Sequence, residues 1–572
     1  MKKVARVNIE KEEVKIEKAP AKYEPLGGRS LTSRILLDEV NPICHPLGHS
    51  NKIIFAPGLL SGTYAPCYDR LSVGAKSPLT EGVKESNSGG TAARAMAQLG
   101  IKALIIEGEP RKDRWYMLKL DKEGANLLPA GDLVSLGNFA VMEKIKASYG
   151  RNASVICIGQ AGEMLLSAAA IAISDMHNRP GAFAARGGLG AVMGSKRIKA
   201  ILIDARGTEK TSYHDENTFL RISKDLSKEL TETKKLLTKY GSLYLANITQ
   251  REGCRPTRNF SQGQFEDHDK MTPEQYAELI KERKGRVSDA CMLGCPIRCK
   301  SIYTDKDGKF LTTTIQYETA VLLGSNCGIA DWDIMAYMNK LCDDYGIDTI
   351  DVGSAIGVAM EGGLLKFADS QGVTKLITEI GEGTALGRII GSGSYITGRV
   401  FGVKRVPVVK KQAMSGYDPR GLKGTGATFA TSPMGADHTC GNALPGREAI
   451  TPKLNLDTRD GADKARLSQE LQVLTASGDG LGLCFLAGHD LHMMEVSAAL
   501  LSAKTGLKVN REDILNMGQE TLKIEREFNR KAGFTEVDDR LPNYFKEEKL
   551  PPHNTIFDIP DEELSKAAKG LF

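Results

Sequence analysis

The chain is poor in aromatic side chains and nearly balanced in charge. Aromatic residues make up 6% of its 572 residues, with two tryptophans, and nine histidines are present. Lysine and arginine number 76 against 71 for aspartate and glutamate, a net charge of +5. A charge that small on a chain this long argues against nucleic acid and against an anionic membrane surface as partners. The sequence therefore predicts neither class of binding protein.

Long apolar runs are missing as well. The longest, Met164 to Ile173, falls short of the roughly 18 residues that suggest a membrane-spanning helix, and it is rich in alanine and serine. No apolar segment follows the basic start of the chain, so no secretory signal peptide is predicted. We therefore expect a soluble, cytoplasmic protein. Thiols stay reduced in that compartment, which makes clustered cysteines candidate metal ligands before candidate disulfides.

The patterning predicts an α+β protein of about three domains, since domains usually hold roughly 100–200 residues. Short alternating or β-branched segments, such as Val4 to Ile9 and Ile101 to Glu107, predict strands in the first part of the chain. After about Ala205 the pattern changes to charged segments with spaced leucines, which predict helices. We expect a β-rich domain over residues 1–207 and two mostly helical domains over 208–412 and 413–572.

Capping residues and apolar spacing mark individual elements. Thr272 before Pro273 predicts a helix start, with threonine as the N-cap and proline at the first helical position. The Gly27-Gly28 pair predicts a turn after the second strand. Further helical patterns run over residues 215–240, 331–341, 352–367, 463–474, 491–501 and 511–530.

Three cysteines lie within nine residues, Cys291, Cys295 and Cys299 in CMLGCPIRC. Soft thiolates on one short loop suit an iron–sulfur cluster, which needs a fourth ligand from elsewhere. Cys484 is the candidate, because it ends a motif that recurs in the chain. A structural zinc site and unligated buried cysteines remain alternatives, although the paired C-x2-C knuckles or histidine partners typical of zinc are missing. The following cysteines are predicted to be ordinary core residues: Cys44, Cys67, Cys157, Cys254, Cys327 and Cys342.

The recurring motif is an aspartate, a glycine three residues later, an apolar residue and then Asp or Cys. It begins at Asp343 and again at Asp479. Either copy alone is typical of a helix end with a glycine stop. The pair suggests more, because an aspartate can accept two N–H bonds from an aminopyrimidine edge and the glycine lets the backbone come close. The two copies predict two related heterocycles bound in similar ways.

Two glycine-rich segments are candidate anion cradles. The segment Asn87–Gly90 (NSGG) precedes a predicted helix, an arrangement in which backbone N–H groups point at an anion. A second segment begins at Arg186-Gly187 and carries a fixed positive charge. Ordinary turns between strands remain the alternative for both. A GxGxxG fingerprint and a Walker loop are both absent from this part of the sequence, so neither glycine-rich segment is predicted to bind a nucleotide.

In combination, these motifs resemble those of the tungsten-containing aldehyde:ferredoxin oxidoreductases. The resemblance runs from GGRSLTSRIL through KSPLTEG, NSGG, ARGGLGAVMGSK, the cysteine loop, YET, YDPRG and ATSPMGADH to DGLGLC. It is specific because the motifs occur jointly and in order. It implies a β-rich N-terminal domain of two sheets followed by two mostly helical domains. It also implies tungsten, or molybdenum, held by two pterins, a [4Fe–4S] cluster close by, and a Mg ion that bridges the pterin phosphates.

The resemblance assigns expected roles to particular residues. The cluster ligands would be Cys291, Cys295, Cys299 and Cys484. Arg70 would lie between cluster and pterin. The expected pterin-cofactor residues are Arg70, Asn87, Ser88, Gly89, Gly90, Arg186, Gly187, Asp343, Ile347, Asp479 and Leu483. Glu318 in YET and His438 in GADH would face the substrate side of the metal.

Aldehyde oxidation gives the last two residues a chemical task. The reaction needs an oxygen delivered to the carbonyl carbon, polarisation of the carbonyl oxygen, and removal of a proton and two electrons. Glu318 is the candidate general base, and His438 is the candidate hydrogen-bond donor. The electrons would pass singly through the cluster to a ferredoxin or an iron–sulfur subunit. Without the resemblance, a lone glutamate or histidine is more often a solvated or satisfied polar residue.

Three departures from the family pattern bear on function. Three residues, not two, separate Cys291 from Cys295. The 331–341 helix carries no Glu/His pair, so no metal between subunits is predicted, and a homodimer is only an expectation. Cys440 stands two residues after His438, where a basic residue is expected in typical aldehyde oxidisers, so the substrate class stays open.

Two other functions compete with aldehyde oxidation. One is the catalytic subunit of a larger low-potential reductase, for example of aromatic acyl thioesters. The other is an electron-transfer or scaffold subunit that keeps the cluster and lacks the pterin metal. Asp343, Asp479 and the NSGG turn argue against the second, because a cluster carrier needs none of them.

Overall fold

Two six-stranded sheets form the N-terminal domain of the computed structural model, which describes residues 2–209, 211–446 and 457–572. The strands are β1 (Lys3–Asn8), β2 (Glu13–Lys18), β3 (Ile53–Pro57), β4 (Leu71–Lys76), β5 (Val83–Ser88), β6 (Ile101–Glu107), β7 (Tyr116–Asp121), β8 (Gly124–Pro129), β9 (Ser154–Cys157), β10 (Ile171–Ser174), β11 (Pro180–Ala184) and β12 (Ile198–Ile203). The strand orders are β2-β1-β6-β3-β4-β5 and β11-β10-β9-β12-β7-β8. Only the pairs β1–β6 and β12–β7 are parallel among these described strands.

The two sheets share one apolar core. Ile53 and Phe55 of β3 face this core together with Ile171 and Ile173 of β10. Ile54, the residue between the first two, points the other way and packs against the helix Gly28–Glu39. This alternation is the period of two expected of a strand covered on both faces. The α+β class and the N-terminal domain of two sheets are thereby confirmed.

The remainder of the chain is mostly helical. The helices are α1 (Gly28–Glu39), α2 (Ala92–Gln98), α3 (Asn138–Tyr149), α4 (Gln160–Glu163), α5 (Leu189–Ser195), α6 (Glu216–Thr233), α7 (Lys235–Tyr240), α8 (Leu245–Glu252), α9 (Pro273–Glu282), α10 (Tyr317–Thr319), α11 (Trp332–Tyr345), α12 (Thr349–Glu361), α13 (Ser370–Glu382), α14 (Ala385–Gly391), α15 (Ser394–Phe401), α16 (Lys423–Thr431), α17 (Lys464–Leu481), α18 (Leu491–Thr505), α19 (Arg511–Lys531), α20 (Tyr544–Glu547) and α21 (Asp561–Lys569). The remaining strands are β13 (Arg286–Asp289), β14 (Lys300–Thr304), β15 (Phe310–Thr313), β16 (Val408–Val409) and β17 (Gln412–Ala413).

The capping signals give the right helix starts. α9 begins at Pro273, and the Thr272 side chain accepts a hydrogen bond from the Gln275 N–H. The helix predicted over 215–240 is interrupted at Lys234, which lies between α6 and α7. Within the described ranges, each helix is too short or too polar to cross a bilayer.

The Gly27-Gly28 pair differs from its prediction as a turn after the second strand, because it opens α1. The reason is a close contact with the end of α17. A Cβ on Gly28 would lie 2.0 Å from the Asp479 carbonyl oxygen. The first helix of the N-terminal domain thus presses against the second aspartate motif. Side chains of α6, α17 and α18 also share one apolar core, although α6 belongs to the second predicted domain and the other two to the third. The positions of the domain boundaries remain predictions.

Candidate functional site

A cavity of about 630 Å³ lies between the N-terminal domain and the helices, within the size range of ligand pockets. Most of the residues singled out in the sequence line it: Arg70, Asn87, Ser88, Gly89, Arg186, Cys291, Cys299, Glu318, Asp343, Ile347, His438 and Cys484. Five others do not form part of its described wall: Gly90, Gly187, Cys295, Asp479 and Leu483. The fold thus brings residues from all three predicted domains to one place.

The four candidate cluster cysteines lie close together. Three are on the loop between β13 and β14, and Cys484 comes shortly after the end of α17. Burial and the nearby thiols of the other three raise the pKa of Cys299 well above its usual value. Among the described residues, no three histidine, cysteine or carboxylate side chains converge on a single metal ion. A [4Fe–4S] cluster needs a different arrangement, because each of its four cysteines binds a separate iron atom.

A fifth cysteine, Cys67, lies beside this group. Its sulfur is 3.7 Å from the sulfur of Cys295. The hydrogen bond from Cys67 outweighs the effect of burial and lowers the pKa of Cys295 to about 7. Cys67 is buried, as predicted for a core residue. Its position next to a candidate ligand has no signal in the sequence, since 228 residues separate the two.

Both aspartate motifs are helix ends with a glycine stop, and both aspartates lie in the last turn. Gly346 and Gly482 take left-handed conformations after α11 and α17, with φ of +71° and +81°. The Asp343 carboxylate accepts hydrogen bonds from Asn339 Nδ2 at 2.9 Å and Thr312 Oγ1 at 3.2 Å. Burial among these neutral donors raises the pKa of Asp343 to about 8.

Asp479 has charged neighbours instead. Arg29 Nη1 lies 3.2 Å from one carboxylate oxygen, and Asn87 Nδ2 donates to the other at 3.1 Å. The Arg29 guanidinium also donates two hydrogen bonds of 2.8 Å to Glu525. Burial raises the pKa of Asp479 to about 6, although Arg29 opposes this shift. The two motifs therefore share their backbone geometry but differ in their electrostatics.

The NSGG segment connects this aspartate to the cysteines. Arg70 donates to both the side chain and the backbone carbonyl of Asn87. A Cβ on Gly89 would lie 3.0 Å from the Cys291 sulfur. Ser88 Oγ is buried and has no hydrogen-bond partner within the described part of the chain. The segment thus lies between the cysteine loop and Asp479, next to the guanidinium of Arg70.

The Arg186 segment differs from a free positive charge. The guanidinium donates to the Ala436 carbonyl at 2.7 Å and lies 3.4 Å from Asp348 and 3.5 Å from Asp351. Its charge is therefore offset by two buried carboxylates. The following Gly187 has φ of +81°, which turns the backbone tightly before α5. Within this segment, the backbone of the turn is therefore the part that is available to bind an anion.

Glu318 and His438 form one hydrogen-bonded group with Tyr417. Glu318 Oε1 accepts a hydrogen bond from the Tyr417 hydroxyl at 3.0 Å and lies 3.2 Å from His438 Nε2. Although burial raises it, the neighbouring His438 and these two contacts hold the pKa of Glu318 below its usual value. His438 Nδ1 is buried without a hydrogen-bond partner among the described residues. A π-helical segment, Ala320–Gly324, follows α10, as often occurs at functional sites.

Tyr417 is a site residue that the sequence reasoning did not single out. Its position in YDPRG was the available signal. Lys84 is a second one. Its fully buried ammonium lies 2.5 Å from Asp437, the neighbour of His438. Although burial opposes it, the charges of Lys84 and Arg186 hold the pKa of Asp437 well below its usual range. Cys440 is buried close to Asp437 and Lys84.

Comparisons with known proteins agree with this geometry. The family model for the N-terminal domain of aldehyde ferredoxin oxidoreductase matches residues 4–205, and the model for domains 2 and 3 matches residues 221–569. The tungsten-containing aldehyde ferredoxin oxidoreductase of Thermococcus kodakarensis is 32% identical over 96% of this chain and 91% of its own length. The protein of that name from Pyrococcus horikoshii is 33% identical, over 96% and 92%.

Two more distant similarities were also found, one in sequence and one in structure. The WOR-like subunit of an aliphatic sulfonate oxidoreductase from Pyrococcus furiosus is 25% identical over 74% of this chain and 72% of its own. The active site complex BamBC of benzoyl coenzyme A reductase, solved with 1,5-dienoyl-CoA, covers 100% of this chain and 94% of its own with a TM-score of 0.82 and 19% identity. The two family models together match nearly the whole chain. The residues that line the cavity lie in both matched ranges. The chain is an oxidoreductase that belongs to the aldehyde ferredoxin oxidoreductase family.

Proposed function

We propose that the protein oxidises aldehydes to carboxylic acids with a tungsten, or molybdenum, bis-pterin cofactor. A [4Fe–4S] cluster, held by this chain's cysteines, would supply single-electron transfer to a ferredoxin or an iron–sulfur subunit. The observation that carries the proposal is the convergence on one cavity of the Glu318–His438–Tyr417 group and three candidate cluster cysteines. The names of the two archaeal relatives support tungsten as the metal and an aldehyde as the substrate.

The residues at the cavity fit such a cofactor. Ser88 Oγ and Asn442 Nδ2 line it, are buried, and have no hydrogen-bond partner within the described ranges. Buried polar atoms are normally satisfied, so atoms of this kind favour a polar ligand at the site. The four neighbouring thiols are the soft donors that an iron–sulfur cluster requires. Donors for phosphate and for iron thus occur side by side.

Each part of the cofactor has candidate residues in this arrangement. The cluster would be held by Cys291, Cys295, Cys299 and Cys484. The pterin edges would be held by Asp343 with Ile347 and by Asp479 with Leu483. The pterin phosphates and a Mg ion would be held by these two segments: Asn87–Gly90 and Arg186-Gly187. Arg70, whose guanidinium donates to Asn87, would lie between cluster and pterin.

The protein's own groups bind the substrate and move its protons. When bound, the metal–pterin group supplies the two-electron oxidation and the cluster supplies single-electron transfer. Glu318 is ionised at neutral pH, because its pKa is lowered, and it accepts a proton from water or from a hydroxyl of the hydrated aldehyde. Tyr417 fixes the orientation of the Glu318 carboxylate. Loss of two protons and two electrons converts the hydrate to the acid.

His438 is suited to polarise the substrate. Its Nε2 faces Glu318, which leaves Nδ1 for the substrate oxygen. A hydrogen bond from the ring to that oxygen stabilises the negative charge that develops on it. Apolar side chains complete the wall of the cavity: Leu237, Tyr244, Leu245, Ile350, Leu444 and Phe485. Such a wall favours aldehydes with an apolar substituent.

Aldehyde-dependent electron transfer tests the proposal. The protein is purified anaerobically from a host supplied with tungstate, and reduction of a low-potential viologen is followed with aliphatic and aromatic aldehydes. We expect dye reduction with two electrons per acid formed, since the oxidation is a two-electron step. Metal- and pterin-replete protein that reduces no dye with any aldehyde would refute the proposal.

A second candidate is the catalytic subunit of a larger reductase of aromatic acyl thioesters. Cys440 favours it, because a basic residue at this position is typical of aldehyde oxidisers. The fold shared with the BamBC complex is compatible with it. Dye reduction with a cyclic dienoyl-CoA, together with no reaction with aldehydes, would identify this function. A cluster-only electron-transfer or scaffold subunit would instead contain iron and lack both tungsten and pterin.

A further inference from the structure

Cys67 has a backbone conformation that disfavours a side chain. Its φ is +68°, in the left-handed region where glycine is the usual residue. The residue lies between β3 and β4 and is 1% exposed. Glycine adopts this conformation without steric cost. A cysteine at such a position motivates a functional hypothesis for its thiol, since strained residues concentrate at functional sites.

The backbone of Cys67 is fixed to the candidate cluster ligands. Its carbonyl oxygen accepts a 2.8 Å hydrogen bond from the N–H of Cys484. Three residues later, the Arg70 N–H donates to the Gly482 carbonyl oxygen at 3.1 Å. The loop is therefore attached at two points to the chain segment that carries the fourth candidate ligand. Its position relative to the cluster cysteines does not depend on the thiol.

The thiol of Cys67 points at another sulfur. Its Sγ lies 3.7 Å from the Cys295 Sγ, a distance suited to a hydrogen bond between thiols. Both cysteines pack in one apolar cluster with Leu60, Leu481 and Leu483. In such surroundings the dielectric constant is low, and a hydrogen bond to a charged sulfur is stronger than in water.

We propose that Cys67 donates its S–H to the sulfur of Cys295 and thereby raises the reduction potential of the cluster that Cys295 binds. The inference rests on the [4Fe–4S] cluster of the proposed function. Reduction adds one negative charge to the cluster, and hydrogen bonds to its sulfurs stabilise the reduced form more than the oxidised form. A thiol has one proton to donate, whereas an iron-bound thiolate has none and can only accept. Cys67 is thus a positioning residue that tunes the cluster through Cys295.

The alternative role for Cys67 is that of an iron ligand. Four other cysteines already match the four irons of the cluster, and each iron takes one. A fifth cysteine in hydrogen-bond contact with one of them is therefore assigned to the donor role. Iron content separates the two roles, because loss of a ligand removes iron whereas loss of a donor does not.

Reduction potentials of three variants test the inference. Cys67→Gly removes the thiol and suits the left-handed backbone, so it does not introduce strain. Cys67→Ser keeps a hydroxyl donor. Cys157→Ala is the control, because Cys157 is a buried thiol in a different apolar cluster. Each anaerobically purified protein is analysed for iron per chain and titrated with dithionite while the cluster is followed by electron paramagnetic resonance.

We expect Cys67→Gly to keep the wild-type iron content. Its reduction equilibrium should shift about tenfold toward the oxidised form, which equals a potential about 59 mV more negative for a one-electron couple. Cys67→Ser should lie between Cys67→Gly and the wild type, and Cys157→Ala should match the wild type.

A potential unchanged in Cys67→Gly contradicts the inference. Loss of iron from this variant also contradicts it and makes Cys67 a ligand. If Cys67→Gly yields no soluble protein, Cys67→Ala is measured with the same expectation. Failure of the proposed function is distinguishable: if the protein binds no cluster, the wild type lacks the cluster signal before any variant is compared, and if only aldehyde oxidation fails, the wild type keeps that signal but reduces no dye with aldehydes.

Discussion

At the scale of the residue, Asp343 shows how burial changes an ordinary carboxyl group. It occupies the same place in its helix end as Asp479, yet only neutral side chains donate to it. Its pKa of about 8 means that the folded protein without cofactor holds a proton there at neutral pH. The unfolded chain, with an aspartate pKa of about 3.9, does not. The stability of the cofactor-free protein therefore depends on this residue and on pH.

We predict that Asp343→Asn stabilises the cofactor-free protein increasingly as the pH rises. Between the two pKa values the unfolded wild type loses its proton and the folded one keeps it, so its free energy of unfolding falls with rising pH. The variant has no such proton. Its advantage should grow by about 2–4 kcal/mol from about pH 5 to about pH 8, measured by denaturant unfolding.

Asp333→Asn is the matched control for this experiment. The hydrogen bond from Arg283 lowers the pKa of Asp333, so this group is ionised in both states throughout that pH range. The control should lose a constant amount of stability. A stability difference for Asp343→Asn that stays constant over the same range would contradict the assigned pKa.

Glu318 is the residue on which the proposed chemistry depends. We predict that Glu318→Gln keeps tungsten and iron at wild-type levels but lowers turnover by about 10²–10⁴, the usual contribution of a general base. The amide keeps the shape of the side chain and cannot accept the proton. Glu81→Gln, an exposed glutamate that pairs with Lys411, is the control and should retain activity. Wild-type turnover in Glu318→Gln would remove this residue from the mechanism.

Single residues also show what the sequence reveals of the site. Glu318 and His438 belong to recognisable motifs and were predicted, and the structure places them in contact. Lys84 and Cys67 belong to the same site but were not identified as part of it. Each reaches its partner across more than 200 residues of chain, 353 for Lys84 and 228 for Cys67. Contacts of that kind follow from the fold and leave no local pattern.

At the scale of the element, the end of α17 packs against the loop after β3, and this contact positions Asp479 and Cys484. A Cβ on Gly58, in the loop after β3, would lie 2.1 Å from the Gly482 nitrogen. Two backbones touch here, and neither is free to move without displacing Asp479 or Cys484. The glycines at this contact are needed for close approach, which explains why the Gly27-Gly28 pair was wrongly predicted as a turn after the second strand.

We predict that Gly58→Ala lowers the free energy of unfolding by at least about 2 kcal/mol, because overpacking against backbone cannot be relieved by a rotamer change. Thermal unfolding measures the loss. Gly131→Ala is the control, since a Cβ there meets no atom of the described chain within 4 Å and the residue does not need a left-handed φ. Equal stability of the two variants would contradict the close contact at Gly58.

Element boundaries were predictable where a cap or a stop residue marks them. α9 and α19 begin next to clear capping residues, and their starts agree with the prediction. Ends defined by packing were less predictable. α17 continues to Leu481, beyond the predicted end at residue 474, because its last two turns are buried against the N-terminal domain. The residues in these two turns are mostly small or polar, so the sequence lacks the apolar spacing that would predict a buried helix.

At the scale of the whole molecule, buried ion pairs join the N-terminal domain to the helices. Arg29 binds Glu525 and Asp479, Lys84 binds Asp437, and the side chains of Arg29 and Lys84 are completely buried. A charge buried without its partner is costly. The N-terminal domain is therefore expected to need the helical part in order to fold stably.

We predict that Arg29→Met lowers the free energy of unfolding by about 3–5 kcal/mol, because it removes the guanidinium that both buried carboxylates, Glu525 and Asp479, bind. Chemical denaturation of the cofactor-free protein provides the measurement. Arg111→Met is the control, since this exposed arginine pairs only at the surface with Glu10. A loss no larger than that of the control would show that the buried network does not stabilise the assembly of the domains.

The most direct test of the proposed cofactor is the metal and pterin content of the protein. The protein is purified anaerobically from a tungstate-supplied host and analysed for tungsten, molybdenum, iron, zinc and pterin. The arrangement of cysteines and paired aspartates predicts about four iron atoms, about one tungsten or molybdenum and about two pterins per chain. Iron without pterin, or zinc alone, would contradict it.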